Sequence, residues 1–144
     1  MQRIVVGVDN SEGSRCAFEW AVAEAIIRQA HLKAVHVWHY PYVPTGPFVP
    51  TPGPGRQAFE ADARATLDES VNAVDASGLS EPIERKLICD GAVAGLLAEA
   101  KGADLVVVGS RGRGGFSGLL LGSVSQEVTH HAPCPAVIVL SGRR

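Results

Sequence analysis

Cysteine and net charge are both scarce in this chain, and each shortage closes off a class of protein. Only three residues are cysteine, Cys16, Cys89 and Cys134. They lie far apart and without CxxC spacing, so neither a disulfide framework nor a zinc site is expected, and all three read as reduced. The formal net charge of -2 gives no general pull toward nucleic acid or an anionic membrane. No apolar run approaches a membrane span. The N-terminal apolar segment is only Ile4 to Val8, held between Arg3 and Asp9 with no cleavage-type region. These absences predict a chain that stays in the cytoplasm and binds its partners through local features.

What is present suits a single folded domain. The 144 residues are 46% hydrophobic and 19% charged, enough to bury a real core. Residues 3 to 8, RIVVGV, read as a short central strand with Asp9 at its carboxyl end. Ser11 or Ser14 can cap the helix that follows, in which Phe18, Ala21, Val22 and Ala25 fall at i, i+3, i+4 and i+7. His31 to Trp38 reads as a second strand. A helix over 56 to 77 turns Ala63, Leu67, Val71 and Val74 inward and stops at Ser77-Gly78. Then come a strand from Ile83 to Cys89, a helix from Ala92 to Lys101, a strand from Leu105, a helix carrying Leu121, Val124 and Val128, and a last strand from Ala136 to Leu140. Strict alternation predicts an α/β three-layer sandwich, a five-stranded parallel sheet with helices on both faces. The pattern alone does not fix strand order. Between Tyr40 and Gly55 lie six prolines and three glycines, a composition that argues against regular structure and predicts a long loop, either a lid over a site or a bland connection.

The most informative stretch is LVVVGSRGRGGFSGLLLGSV, residues 105 to 124. A valine-rich strand stops at Gly109, glycines recur at 112, 114, 115 and 118, and Gly122-Ser123 precedes the next helical pattern. Strand, glycine turn and helix start suit an anion, because glycine lets backbone N–H groups come close and a helix N-terminus favours negative charge. A Walker loop requires Gly-Lys-Ser/Thr, and no lysine occurs between Gly109 and Arg144. A dinucleotide fingerprint belongs on the first strand-to-helix turn, which here reads Gly7-Val8-Asp9-Asn10-Ser11. Neither template fits.

The spacing that does fit is Gly, two residues, Gly, nine residues, Gly-Ser, at Gly109, Gly112, Gly122 and Ser123. Together with IVVGVDNSEGS at 4 to 14, the AVHVW strand around Val37, LLLGSVSQEV and the closing APCPAVIVL, it resembles the ATP-binding signature of the universal stress protein family over nearly the whole chain. The resemblance implies strand order 3-2-1-4-5 with two helices on each face, which sets the first and fourth strands side by side, where ligands bind outside the strands' carboxyl ends. It also implies a homodimer through the fifth strand. On this reading Gly109, Ser110 and Gly112 wrap the phosphates, and N–H groups around Gly122, Ser123 and Val124 receive them. Asp9, beside Val8, meets a ribose hydroxyl or a phosphate-held metal such as Mg, with capping of the first helix as its alternative role. The resemblance assigns the Val37 main chain to adenine and Gly91 to the nucleoside edge, although Ala92-Val93 stands where many members carry proline. Arg111 and Arg113 either neutralise phosphate or point into solvent. His130 and His131 complement a helix C-terminus, and His36 and His39 read as structural.

The expected function is a nucleotide-dependent switch or sensor in stress response that binds ATP, with AMP or cyclic AMP also open as ligands, and is read by an unknown protein partner. A slow ATP hydrolase and a nucleotide-free interaction dimer are the rivals. Efficient turnover is not expected, since no lysine-plus-carboxylate set or water-positioning residue stands near the loop.

Overall fold

Strand and helix alternate along the chain much as the apolar periodicity predicts. The computed structural model describes residues 1–40, 42–45, 49–52, 55–111 and 121–141. In chain order the elements are β1 (Arg3–Gly7), α1 (Glu12–Arg28), β2 (His31–Trp38), β3 (Tyr42–Thr45), β4 (Val49–Pro52), α2 (Arg56–Asn72), β5 (Glu84–Cys89), α3 (Ala92–Ala100), β6 (Leu105–Gly109), α4 (Ser123–His131) and β7 (Ala136–Val139). Five strands form one parallel sheet in the order β5-β2-β1-β6-β7. Counting only these strands, the order is 3-2-1-4-5, as the resemblance implies. Growth of the sheet reverses between β1 and β6, where Ile4 pairs with Leu105 and Val6 with Val107.

The apolar runs exist because both faces of the central strands are covered. Alternate residues of β1 divide between the layers. Ile4 and Val6 join Leu32, Ala34 and Val107 under Phe18, Ala21, Val22 and Ala25 of α1 and Leu67 and Val71 of α2. On the other face Val5 joins Val35, Val106 and Val108 under Leu96 and Ala100 of α3 and Val128 of α4. All the helix positions assigned inward from their spacing on α1 are buried.

Helix ends follow local chemistry. Ser11 caps α1 by accepting the Ser14 N–H, and Gln29 closes it in the left-handed region at φ 53. The sequence pattern carries α2 to residue 77, whereas the helix stops at Asn72. The Asp75 carboxylate accepts the Ser77 N–H at 3.0 Å, a local turn that competes with helix continuation, while Val74 still packs on the core from outside the helix.

The proline-rich stretch departs from its expected irregularity. β3 and β4 pair antiparallel, Tyr42 with Pro52, Val43 with Thr51, Pro44 with Pro50 and Thr45 with Val49. The three prolines occupy alternate pairs of the ladder. In an antiparallel ladder alternate pairs turn their N–H positions away from the partner strand, so prolines of a single parity remove no ladder bond. Composition argued against a strand here; the spacing of the prolines permits one.

Candidate functional site

The carboxyl ends of β1 and β6 meet where the sheet order reverses, with Val8 and Asp9 following β1 and Ser110 following Gly109 at the end of β6. Asp9 follows β1. Its Oδ1 accepts the Ser11 N–H at 2.9 Å and the Ser11 hydroxyl at 2.5 Å, and Ser11 in turn caps α1. The Asp9 N–H donates to the Ser14 hydroxyl at 2.9 Å. Asp9 thus holds the capping residue Ser11 and is not itself the cap of α1.

The start of α1 and the end of β6 come together at unusually short range. A Cβ on Gly109 would stand 2.5 Å from the carbonyl oxygen of Gly13, and a Cβ on Gly13 would collide with the carbonyl oxygen of Arg111. The absence of a side chain at Gly109 is thus required by backbone packing against α1, before any ligand is considered. Gly13 was not singled out from the sequence, and nothing in its local pattern marks it.

Beyond Gly109 the chain is pinned. The Ser110 N–H donates to the Val139 carbonyl at 2.8 Å, tying it to β7. Its carbonyl accepts the Gly122 N–H at 2.5 Å and the Ser125 hydroxyl at 2.8 Å. Ser110 and Ser125 are both buried. The Arg111 guanidinium reaches the Ser141 carbonyl at 3.4 Å. Gly112 and Arg113 lie outside the described residues.

Helix α4 starts without a capping side chain. Its N-cap is Gly122 in extended conformation, φ -80 and ψ 177, with no side-chain cap hydrogen bond. The first intrahelical donor is Gln126, to the Gly122 carbonyl. The N–H groups of Ser123, Val124 and Ser125 precede it and have no acceptor within the helix. The Gly122 N–H, by contrast, is committed to Ser110.

On the other side of β1, Val8 is built into the frame. Its N–H donates to the Val35 carbonyl at 2.9 Å, its carbonyl accepts the His36 Nδ1–H at 2.8 Å, and its side chain is buried. This contact gives buried His36 the structural role expected of it and fixes its tautomer. Val37 pairs with Ile88, and both sit close to Gly95, where a Cβ would lie 3.1 to 3.3 Å from their methyl groups. The missing side chain at Gly95 lets α3 lie against the ends of β2 and β5. Gly91 is the opposite case. It is the exposed N-cap of α3 at φ -66 and ψ 139, and a Cβ there would meet nothing within 4 Å. Neither packing nor backbone conformation asks for glycine at 91.

The groups with shifted pKa values lie elsewhere. The hydrogen bond to Glu84, with that to Glu81, holds His31 above its ordinary value of 6.5, and the same His31 contact holds Glu84 low. Both residues stand at strand starts, the edge of the sheet away from the junction. Burial raises the Cys134 thiol, assisted by the charge of Asp104. Among the described residues no cluster of three histidine, cysteine or carboxylate side chains could hold a metal, His130 and His131 included. Chemically, the junction offers backbone donors for an anion and the Asp9 carboxylate, while the open glycine at 91 lies apart from it, at the carboxyl end of β5.

Comparison with known proteins agrees with this architecture. The family model described as Universal stress protein family matches residues 1–139. Universal stress protein Rv2005c of Mycobacterium tuberculosis is 37% identical over 135 residues, covering 94% of this chain and 44% of that protein, so the chain spans under half its length. The solved universal stress protein UspA from Lactobacillus plantarum superposes with a TM-score of 0.75 at 23% identity, covering 96% of this chain and 97% of that one. A universal stress protein solved in complex with cAMP superposes with a TM-score of 0.71 at 27% identity, covering 96% of each chain.

Proposed function

Since the chain belongs to the universal stress protein family, we propose that it binds an adenine nucleotide, ATP foremost, and acts as a nucleotide-dependent switch or sensor in the cytoplasm. The observation that carries this reading is the start of α4. A glycine N-cap leaves the Ser123 and Val124 N–H groups without helical acceptors, and the bond from the Gly122 N–H to the Ser110 carbonyl holds them at the carboxyl end of β6. A glycine N-cap gives up only roughly a few tenths of a kcal/mol against a capping side chain, and leaves the first-turn donors open to a bound phosphate. The similar protein in complex with cAMP supports adenine nucleotides as the ligand class.

In this reading Ser123, through its N–H and hydroxyl, and Val124 hold phosphate, with Gly112 and Arg113 on the same loop. Gly109, Ser110, Gly122 and Val8 form the frame that sets the loop. Asp9 takes a ribose hydroxyl or steadies a magnesium ion carried by the phosphates. The Val37 main chain and the open edge at Gly91 take the adenine nucleoside. Bound nucleotide supplies charge and bulk that hold the loop in one conformation for a protein partner to read. A second copy of the chain pairs along β7, whose edge is short and uncharged.

The test is to denature gently purified protein, identify released small molecules by mass spectrometry, and titrate the stripped protein calorimetrically with ATP, AMP and cyclic AMP. Co-purification and rebinding of an adenine nucleotide is the expected result. Absence of both would remove the nucleotide reading.

A further inference from the structure

Three hydroxyls inside these helices share a habit that Ser125 does not follow. Thr66 donates to Asp62, Ser70 to Thr66 and Thr129 to Ser125, each to the carbonyl four residues back in its own helix. Ser125 instead donates across the chain to the Ser110 carbonyl at 2.8 Å, with the Gly122 carbonyl at 3.0 Å sharing the proton. It is 1% exposed, on a helix whose other faces reach solvent.

The position matters as much as the partner. Ser125 is the third residue of α4, where a helix start usually receives a cap from the preceding turn. Here the N-cap is glycine and caps nothing. The Ser125 hydroxyl spends its proton on carbonyls, so it leaves the first-turn N–H groups as they are. Together with the Gly122 N–H on the same Ser110 oxygen, it closes the two ends of the glycine-rich segment onto each other. Ser110 is itself fixed to β7 through its N–H. The start of α4 is therefore located by the sheet and not by a cap.

We infer that Ser125 is a positioning residue for the phosphate end of the proposed nucleotide site, holding the start of α4 through the Ser110 carbonyl so that the Ser123 and Val124 N–H groups stay uncapped and in place. This rests on the nucleotide reading above. Pre-placed donors raise affinity because less ordering is left for the binding step. The contribution is confined to ligand groups that meet α4, namely the phosphates, and adenosine lacks them.

The experiment compares wild type, Ser125→Ala and Ser125→Thr by calorimetry with ATP and with adenosine, alongside thermal melts and amide hydrogen exchange. In Ser125→Ala, ATP affinity is expected to fall about tenfold while adenosine affinity stays within about twofold, and the melting temperature to drop by roughly 3 °C. Ser125→Thr, which keeps the hydroxyl, is expected to bind ATP within about threefold of wild type. Exchange at the Gly122 amide should quicken in the alanine variant. An equal loss for ATP and adenosine would mean a general loosening and would overturn the assignment, as would unchanged ATP affinity. Unchanged Gly122 exchange would show that Ser125 does not hold Gly122 to the Ser110 carbonyl and would overturn the assignment. A wild type that binds neither compound removes the nucleotide reading and the positioning role with it, an outcome distinct from a wild type that binds ATP and an alanine variant that binds it equally well.

Discussion

Replacing Gly109 with alanine should destabilise the protein, against the usual sign for a glycine in a strand. Glycine inside a strand ordinarily costs about 0.5–1 kcal/mol relative to alanine, because it loses more backbone freedom on folding. At Gly109 that gain is opposed. The added Cβ would stand 2.5 Å from the Gly13 carbonyl oxygen and 2.6 Å from its carbon, both backbone atoms in the first turn of α1. No rotamer change relieves contact with backbone, so α1 or β6 has to shift. Overpacking of this kind costs about 1–3 kcal/mol, which leaves a net loss on the order of 1–2 kcal/mol. For 144 residues the unfolding entropy is roughly 0.3 kcal/mol per degree, so the expected fall in melting temperature is about 3–7 °C.

Gly91→Ala is the matched control, since a Cβ there meets nothing within 4 Å and φ is -66. Its stability should stay within about 0.5 kcal/mol of wild type. Under the proposed function both variants lose nucleotide affinity, Gly109→Ala through displaced backbone and Gly91→Ala through a methyl group at the nucleoside edge. Urea and thermal unfolding measure the first difference and calorimetry the second. A Gly109→Ala protein as stable as wild type would refute the close approach of β6 to α1. Undiminished affinity in Gly91→Ala would take Gly91 out of the site.

Four further outcomes can be checked separately. Both His31 ring nitrogens face carboxylates, Glu81 at 3.1 Å and Glu84 at 2.7 Å, and only the protonated ring can donate to both. The raised His31 pKa contributes stability that is present below its ordinary 6.5 and lost as pH rises through the folded value, while the lowered Glu84 pKa contributes above its ordinary 4.5 and is lost as pH falls. His31→Gln should therefore cost more stability at pH 5.5 than at pH 8.5 in urea titrations, and an equal cost at both would contradict the pairing. Arg56 lies 5.6 Å from the Trp38 ring centroid and 5.0 Å from that of Tyr40, clasping the two ends of the β3–β4 excursion; Arg56→Ala should lose about 0.5–1 kcal/mol and speed proteolysis between residues 41 and 55. If the excursion closes over bound nucleotide, ATP should slow that cleavage in wild type, and identical digestion with and without ATP would dispose of a lid. Finally, Val106 and Ser110 donate to Pro135 and Val139, which turns the N–H groups of Ala136, Ile138 and Leu140 toward the open edge. Leu140→Pro deletes one of those donors at a half-exposed position, and under the proposed pairing along β7 sedimentation should show weaker self-association with little change in melting temperature.

The layers of this fold were legible because they are set by local periodicity. Phe18, Ala21, Val22 and Ala25 needed only their spacing to mark the buried side of α1, and valine runs announced strands covered on both faces. The strand order came from the family resemblance, and the β5-β2-β1-β6-β7 sheet agrees with it. The frame of the site was harder to read because it is made of main-chain groups meeting across the chain. No residue pattern announces that Gly13 admits the Arg111 carbonyl, or that the carbonyl of Ser110 gathers two donors from α4.

A faint signal for Ser125 was nonetheless present. Leu121, Val124 and Val128 fall at i, i+3 and i+7, and the i+4 place in that inward stripe is Ser125. A hydroxyl in an apolar stripe must find an acceptor or bear the cost of burial unpaired, about 1–3 kcal/mol, so its position alone implies a partner inside the protein. The same logic separates the glycines. Those with backbone pressed against them, Gly13 and Gly109, are explained by the fold, while Gly91 stands open at a helix start and is not. Ligand contact is therefore best sought at Gly91 and at the uncapped donors of α4, and the most glycine-dense part of the loop owes at least its first glycine to α1.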